Sequence, residues 1–108
     1  MTVKQLSELE NFTAVVMPEP ERCICGAYVG DLLSWVMGRA KADDAWVTIM
    51  SNVIVVAVAS LSDVACVILA EGVTLDGDVI GVAKERGINV LSTSLPSYEA
   101  CKALFGAL

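Results

Sequence analysis

The side chains of this 108-residue chain that could do chemistry are few, and their spacing narrows what they could do. There are four cysteines, Cys23, Cys25, Cys66 and Cys101, and no histidine. The missing imidazole removes every Ser-His or Cys-His nucleophile pair, the commonest general base and any mixed Cys/His zinc site. Cys23 and Cys25 stand two apart, so on a strand both thiols would share one face. One such pair, with Cys66 and Cys101 scattered, lacks the C-x-x-C spacing of zinc and thioredoxin-type sites. Reduced, buried thiols are the expectation, with no metal and no cofactor. No G-x-x-x-x-G-K-[ST] phosphate loop occurs either.

The remaining candidates are groups that bind. Gly26, Gly30 and Asp31 stand where a strand turns into a helix and could line a pocket with backbone amides, which attract anions. Asp31 as helix N-cap would compete for the same amides, so a tight turn plus a cap is the plainer reading. Ser92, Thr93 and Ser94 offer three hydroxyls ahead of a helix start, with no acidic residue before Glu99. They could hold an anion or satisfy their own backbone. Arg22 could clamp a phosphate or carboxylate through its fork, or pair with Glu19 or Glu21 at the surface. Trp35 and Trp46 read as core or interface anchors.

The elements that would position these groups alternate from end to end. Thr2-Val3-Lys4-Gln5 has the form of a capping box, opening a short helix striped by Val3, Leu6 and Leu9. Phe12–Met17 is strand-like and is ended by Pro18 and Pro20; Cys23–Val29 is a second strand. Asp31 then caps a helix through Leu32, Leu33, Val36, Met37 and Ala40. Ala45–Met50 is a strand. The segment 52–61 is rich in valine, which favours strand, yet connected α/β units call for a helix there, and a helix is the reading taken. Val64–Leu69 has the continuous apolar run of a strand covered on both faces. Asp76–Arg86 is an amphipathic helix stopped by Gly87, and Ile88–Leu91 is the last strand. Pro96 opens a final helix striped by Tyr98, Cys101, Leu104 or Phe105, and Leu108. The expected fold is α/β: a single three-layer domain over residues 1–108, with a mostly parallel five-stranded sheet flanked by helices. In such sheets ligands sit beyond the carboxyl ends of strands, where the 26–31 and 92–97 loops fall.

Composition bounds the partners. A net charge of −6 repels phosphate backbones, and no basic stripe is present, so nucleic-acid binding is not expected. No stretch reaches the ~18 apolar residues of a membrane span. The N-terminus lacks a signal-peptide pattern, which makes the cytoplasm the expected compartment. A hydrophobic fraction of 56% in so small a chain points to apolar surface hidden in an oligomer interface.

The run Glu21-Arg22-Cys23-Ile24-Cys25-Gly26-Ala27-Tyr28-Val29-Gly30-Asp31-Leu32-Leu33-Ser34 resembles the signature region of DRTGG domains. Ala45-Trp46-Val47-Thr48-Ile49 and Val56-Ala57-Val58-Ala59-Ser60-Leu61 resemble the middle of the same family, in the same order. The acidic-basic pair stands as Glu21-Arg22, and the Thr-Gly-Gly portion as Cys25-Gly26-Ala27. The resemblance implies an α/β module similar to the N-terminal domain of HPr kinase/phosphorylase. It also implies a non-catalytic regulatory or ligand-sensing role, with dimer formation. A nucleotide or other small anionic metabolite and an unidentified protein partner are the expected binding partners. Two further readings are a structural interaction module without a ligand and, against the missing histidine and phosphate loop, a phosphotransfer enzyme.

Overall fold

The computed structural model describes residues 1–107. Its elements run α1 (Val3–Ser7), β1 (Thr13–Val16), β2 (Gly26–Val29), α2 (Leu33–Arg39), β3 (Asp44–Thr48), α3 (Val53–Ser62), β4 (Cys66–Leu69), α4 (Gly77–Arg86), β5 (Val90–Ser92) and α5 (Ser97–Ala107). The strands form one sheet in the order β1-β5-β4-β3-β2. β2 to β5 are parallel, and β1 lies antiparallel on β5. The sheet is thus mixed, with one antiparallel edge on an otherwise parallel array.

The layering follows from strand order. From β2 to β5 the chain always steps toward the same edge, and right-handed crossovers then put each connecting helix on the same face. There Val36 of α2, Val55, Val56, Val58 and Ala59 of α3, and Val79 and Ala83 of α4 pack on Trp46, Val67, Leu69 and Val90. On the opposite face Val3 and Leu6 of α1, with Ala100 and Leu104 of α5, cover Ala45, Val47, Cys66, Ile68 and Leu91. Every residue of β3 and β4 is buried, which is why these strands carry no alternation.

Local chemistry sets the ends of the elements. In α1 the Thr2 hydroxyl accepts from the Gln5 amide at 3.1 Å, and the Gln5 side chain accepts from the Thr2 amide at 2.9 Å. The valine-rich 52–61 segment is helical: Asn52 Oδ1 accepts from the Ile54 amide at 3.0 Å and opens α3. Joining two parallel strands requires such a crossover, which overrides the strand preference of valine. Gly87, at φ 73°, closes α4 in the left-handed conformation.

Two expected features differ. Sheet pairing of the second strand begins only at Gly26, while Cys23 makes an isolated antiparallel bridge with Thr2. On α5 Leu104 and Cys101 of the expected stripe do face the core, joined by Ala100, but Tyr98 and Phe105 turn outward at 73% and 81% exposure. The small Ala100 lets the helix lie close on the sheet, a choice that side-chain size alone does not reveal. Leu108 lies outside the described residues.

β1 ends at the amino end of the parallel strands, and residues 17–25 carry the chain along those ends to β2 at the far edge. Asn89, 1% exposed, fastens this strap. Its Nδ2 donates to the carbonyls of Glu19 at 2.8 Å and Ala65 at 3.0 Å, and its Oδ1 accepts from the Glu19 amide at 2.9 Å.

Candidate functional site

The residues singled out as candidate ligands divide between the two ends of the sheet. Gly30 and Asp31 follow β2 at the carboxyl end, as do Ser92, Thr93 and Ser94 at β5. Arg22 and Gly26 sit at the amino end. β2 and β5 are three strand spacings apart, so the two carboxyl-end loops lie about 14 Å from one another along the rim. They form two stations on one rim, with the turns after β3 and β4 between them.

At the first station Asp31 does not cap α2. The helix begins after Leu32, which makes no side-chain cap. Asp31 Oδ1 instead accepts from the Thr48 hydroxyl at 2.7 Å and the Ile49 amide at 3.0 Å, tying the turn after β2 to the end of β3. The Gly30 carbonyl accepts from Trp46 Nε1 at 2.9 Å. At the second station Thr93 is buried and its hydroxyl accepts from the Leu95 amide at 3.1 Å. The Thr93 carbonyl accepts from the Gly72 amide at 2.9 Å. Ser94 is exposed and Ser92 half-buried, so two hydroxyls at this station face outward or remain unclaimed by a hydrogen bond to the protein.

At the amino end Arg22 is committed. Its Nε and Nη2 donate to Asp43 Oδ1 at 3.1 Å, and Nη2 also donates to Asp63 Oδ1 at 2.7 Å and to the Asp63 carbonyl. These partners, and not Glu19 or Glu21, neutralise it. Burial lowers the affinity of the guanidinium for its proton, but the hydrogen bonds it donates to Asp63 and Asp43, and their charges, outweigh this and hold it above its ordinary value. Asp43 and Asp63 both have positive φ, 68° and 56°, a region that aspartate enters more readily than most residues. Arg22 therefore holds the strap onto the two turns that enter β3 and β4. A Cβ on Gly26 would stand 2.8 Å from Asp44 Oδ1, so this glycine lets the edge strand approach β3.

The expectation of buried cysteines holds for Cys66 alone: Cys23 and Cys25 are exposed and Cys101 is half-buried. Burial pushes the Cys66 thiol up to about 12. Among the described residues no three His, Cys, Asp or Glu side chains stand together as a metal site. Trp46 is fully buried, as expected of a core anchor, whereas Trp35 is 52% exposed with the Arg39 guanidinium 3.7 Å above its ring.

The geometry adds a feature the sequence did not reveal. On the α5 face, beside the free edge of β2, a groove of about 510 Å³ is lined by Ala27, Val29, Tyr98, Lys102, Phe105 and neighbouring residues. It exists because α5 reaches β2 and β3 without covering the outer side of the edge strand. Its one sequence signal is the Tyr98-Lys102-Phe105 spacing, which puts these residues on a single helical stripe.

Strand order, crossovers and two-sided helix cover place the chain among three-layer α/β domains. The DRTGG domain pattern matches residues 31–107, and the chain belongs to the DRTGG domain family. The matched segment begins at Asp31, so α1, β1, the strap and β2 lie before it. Among solved structures the chain is similar to the CBS and DRTGG domains of the regulatory region of Clostridium perfringens pyrophosphatase, complexed with its activator diadenosine tetraphosphate. That likeness has a TM-score of 0.64 at 19% identity and covers 84% of this chain. It spans 40% of the pyrophosphatase region, and at this identity it carries the fold. No curated protein matches the chain.

Proposed function

We propose that this chain is a regulatory, non-catalytic module that senses a nucleotide or another small anionic metabolite and passes the signal to a partner protein. The observation that carries the reading is family membership over residues 31–107, joined to a fold shared with a regulatory region that is complexed with a nucleotide activator. The carboxyl-end rim is the proposed ligand surface. It offers the Ser92 and Ser94 hydroxyls, the backbone at Gly30 and the turn held by Asp31. Thr93 shapes the second station and does not reach outward. Arg22 and Gly26 act from the other end by holding the strap and the edge strand in place. The module works as a pair of copies in the cytoplasm. No helix among the described residues is long and apolar enough to cross a membrane.

The test is a thermal-shift screen of the purified protein against adenine and guanine nucleotides, diadenosine tetraphosphate, acetyl-CoA and acetyl phosphate. A ligand at a hundred times its Kd adds about 2.7 kcal/mol, which in a domain of this size raises Tm by roughly ten degrees or more. A selective rise that is lost in a Ser92→Ala/Ser94→Ala variant supports sensing at the rim. A flat screen overturns it for these compounds and favours the second reading, a ligand-free interaction module, to which the open apolar groove beside β2 speaks directly.

A further inference from the structure

We propose that the free edge of β2 and the groove beside it receive a second copy of this chain about a two-fold axis, joining the two sheets edge to edge. The proposal gives a surface to the paired form named above and rests on that part of the reading.

The two edges of the sheet are built differently. At β1 the register breaks between Ala14 and Val16, and Pro18 and Pro20 follow within a few residues, devices that blunt an edge against further pairing. β2 has none of them. Gly26–Val29 holds no charge and no proline, and it pairs with β3 in unbroken register. Ala27 and Val29 on this strand are exposed. An uncharged, unbroken edge next to an apolar groove is what native folds avoid unless something covers it.

A second copy fits this surface in each layer. A two-fold axis normal to the sheet sets β2 antiparallel to its own copy, a pairing that needs no crossover and gives every contact twice. The same axis brings α5 beside its copy on one face and α2 beside its copy on the other. α2 packs inward on α3, and α5 packs on β3 and β2. Both helices display large apolar side chains, Trp35 and Met37 at 52% and 51% exposure and Tyr98 and Phe105 at 73% and 81%, and Leu32 just ahead of α2 is 57% exposed. The three exposed aromatics alone offer about 300–500 Å². With Val29, Leu32, Met37 and the strand edge, the surface approaches the ~800 Å² per partner of a stable interface. The net charge of −6 opposes association in general. The groove lining, however, contains no carboxylate and a single cation, Lys102, so the excess negative charge does not lie in the groove.

Sedimentation velocity over a wide range of protein concentration tests this. The expected species has twice the 11.4 kDa chain mass. Val29→Lys and Phe105→Glu should each weaken self-association by about 30-fold or more, the effect of losing a central contact. Far-UV circular dichroism should not change, since both side chains are exposed. Leu61→Glu, at a 77%-exposed position on the middle helix of its layer, should leave the dimer intact. A wild-type monomer throughout the range overturns the proposal and assigns the groove to a foreign strand or helix. A dimer that survives both edge variants overturns it in favour of another face. The metabolite screen on the wild-type protein separates the two readings: a flat screen with the mass result intact defeats sensing alone, and a selective rise in a wild-type monomer defeats only the edge-to-edge pairing.

Discussion

Asn89→Asp replaces one amide nitrogen by oxygen and leaves the rest of the side chain in place. The native amide is 1% exposed, with Nδ2 donating to the Glu19 and Ala65 carbonyls at 2.8 and 3.0 Å. In the variant the oxygen that accepts from the Glu19 amide is kept, while two carbonyls face an acceptor where a donor stood. The Ala65 carbonyl loses this donor at a cost of about 1–3 kcal/mol, and the Glu19 carbonyl is left with the Arg22 amide alone, at 3.3 Å. A carboxylate buried here without a cation adds more, part of which it escapes by staying protonated. The expected loss at pH 7 is about 4 kcal/mol, a large share of the 5–15 kcal/mol typical of a domain. The pH dependence has a definite sign. The folded carboxyl titrates above the ~3.9 of the unfolded chain, so between those two values the native state binds the extra proton. Stability relative to wild type therefore falls as pH rises through that window, and the deficit is smallest near pH 4. Urea unfolding of both proteins at several values between about pH 4 and pH 7 gives the difference directly, provided the m-values agree. A deficit under about 1 kcal/mol at pH 7, or one that does not vary with pH, would falsify the claim that this amide fastens the strap from a buried position.

Two glycines should respond in opposite directions. Gly26→Ala drives a Cβ to 2.8 Å from Asp44 Oδ1, and Asp44 is buried with its other oxygen accepting from the Lys41 amide, so about 1–3 kcal/mol of stability should be lost. Gly81→Ala, inside α4 with nothing within 4 Å of the new Cβ, should gain about 0.5–1 kcal/mol. Thermal melts that rank the two the other way refute the packing described at the β2 edge. With an aromatic disulfide reagent at mildly alkaline pH, Cys23 and Cys25 should react at once and Cys66 only after unfolding. Because burial raises Cys66 to about 12 while the unfolded thiol titrates near 8.5, the native state keeps a proton that the unfolded state loses. Stability should then fall by about 1.4 kcal/mol per pH unit above that lower value. Cys66→Ala should remove this part of the alkaline slope, and an unchanged slope would contradict the burial.

What could be read from the sequence was what neighbours in the chain decide. The capping box at Thr2, the stop at Gly87 and the order of helices and strands each depend on a few adjacent residues or on the rule that parallel strands need crossovers. The antiparallel β1 was not legible, because nothing near Thr13 states which strand it will join. Arg22 reads locally as an anion clamp or a partner of Glu19 or Glu21, whereas its carboxylates lie 21 and 41 positions away. The Asn89 clamp reaches 70 positions back and leaves no local mark. Asp31 looked like a cap by its place in the chain, yet Thr48 and Ile49 offered its oxygen two donors across the strand gap. On α5 the periodicity finds Cys101 and Leu104 on the sheet side but not that Tyr98 faces outward, because it finds the faces of a helix and not the limits of the buried one. Tyr98 and Phe105 are free to line the groove only because Ala100 and Leu104 take the core.

The pairing of Thr13 with Ser92 sets an order of events at the ribosome. β1 is made before β2, β3 and β4, and the strand it must join only after them. At 5–20 residues per second, several seconds separate the emergence of the two. β2, β3 and β4 with their crossover helices can associate during that interval, and Arg22 can already reach Asp43 and Asp63, whereas β1 has no strand to join. The uncharged edge of β2 is thus in place before the opposite end of the sheet is closed. Nascent chains on neighbouring ribosomes could meet through that edge before either has finished folding.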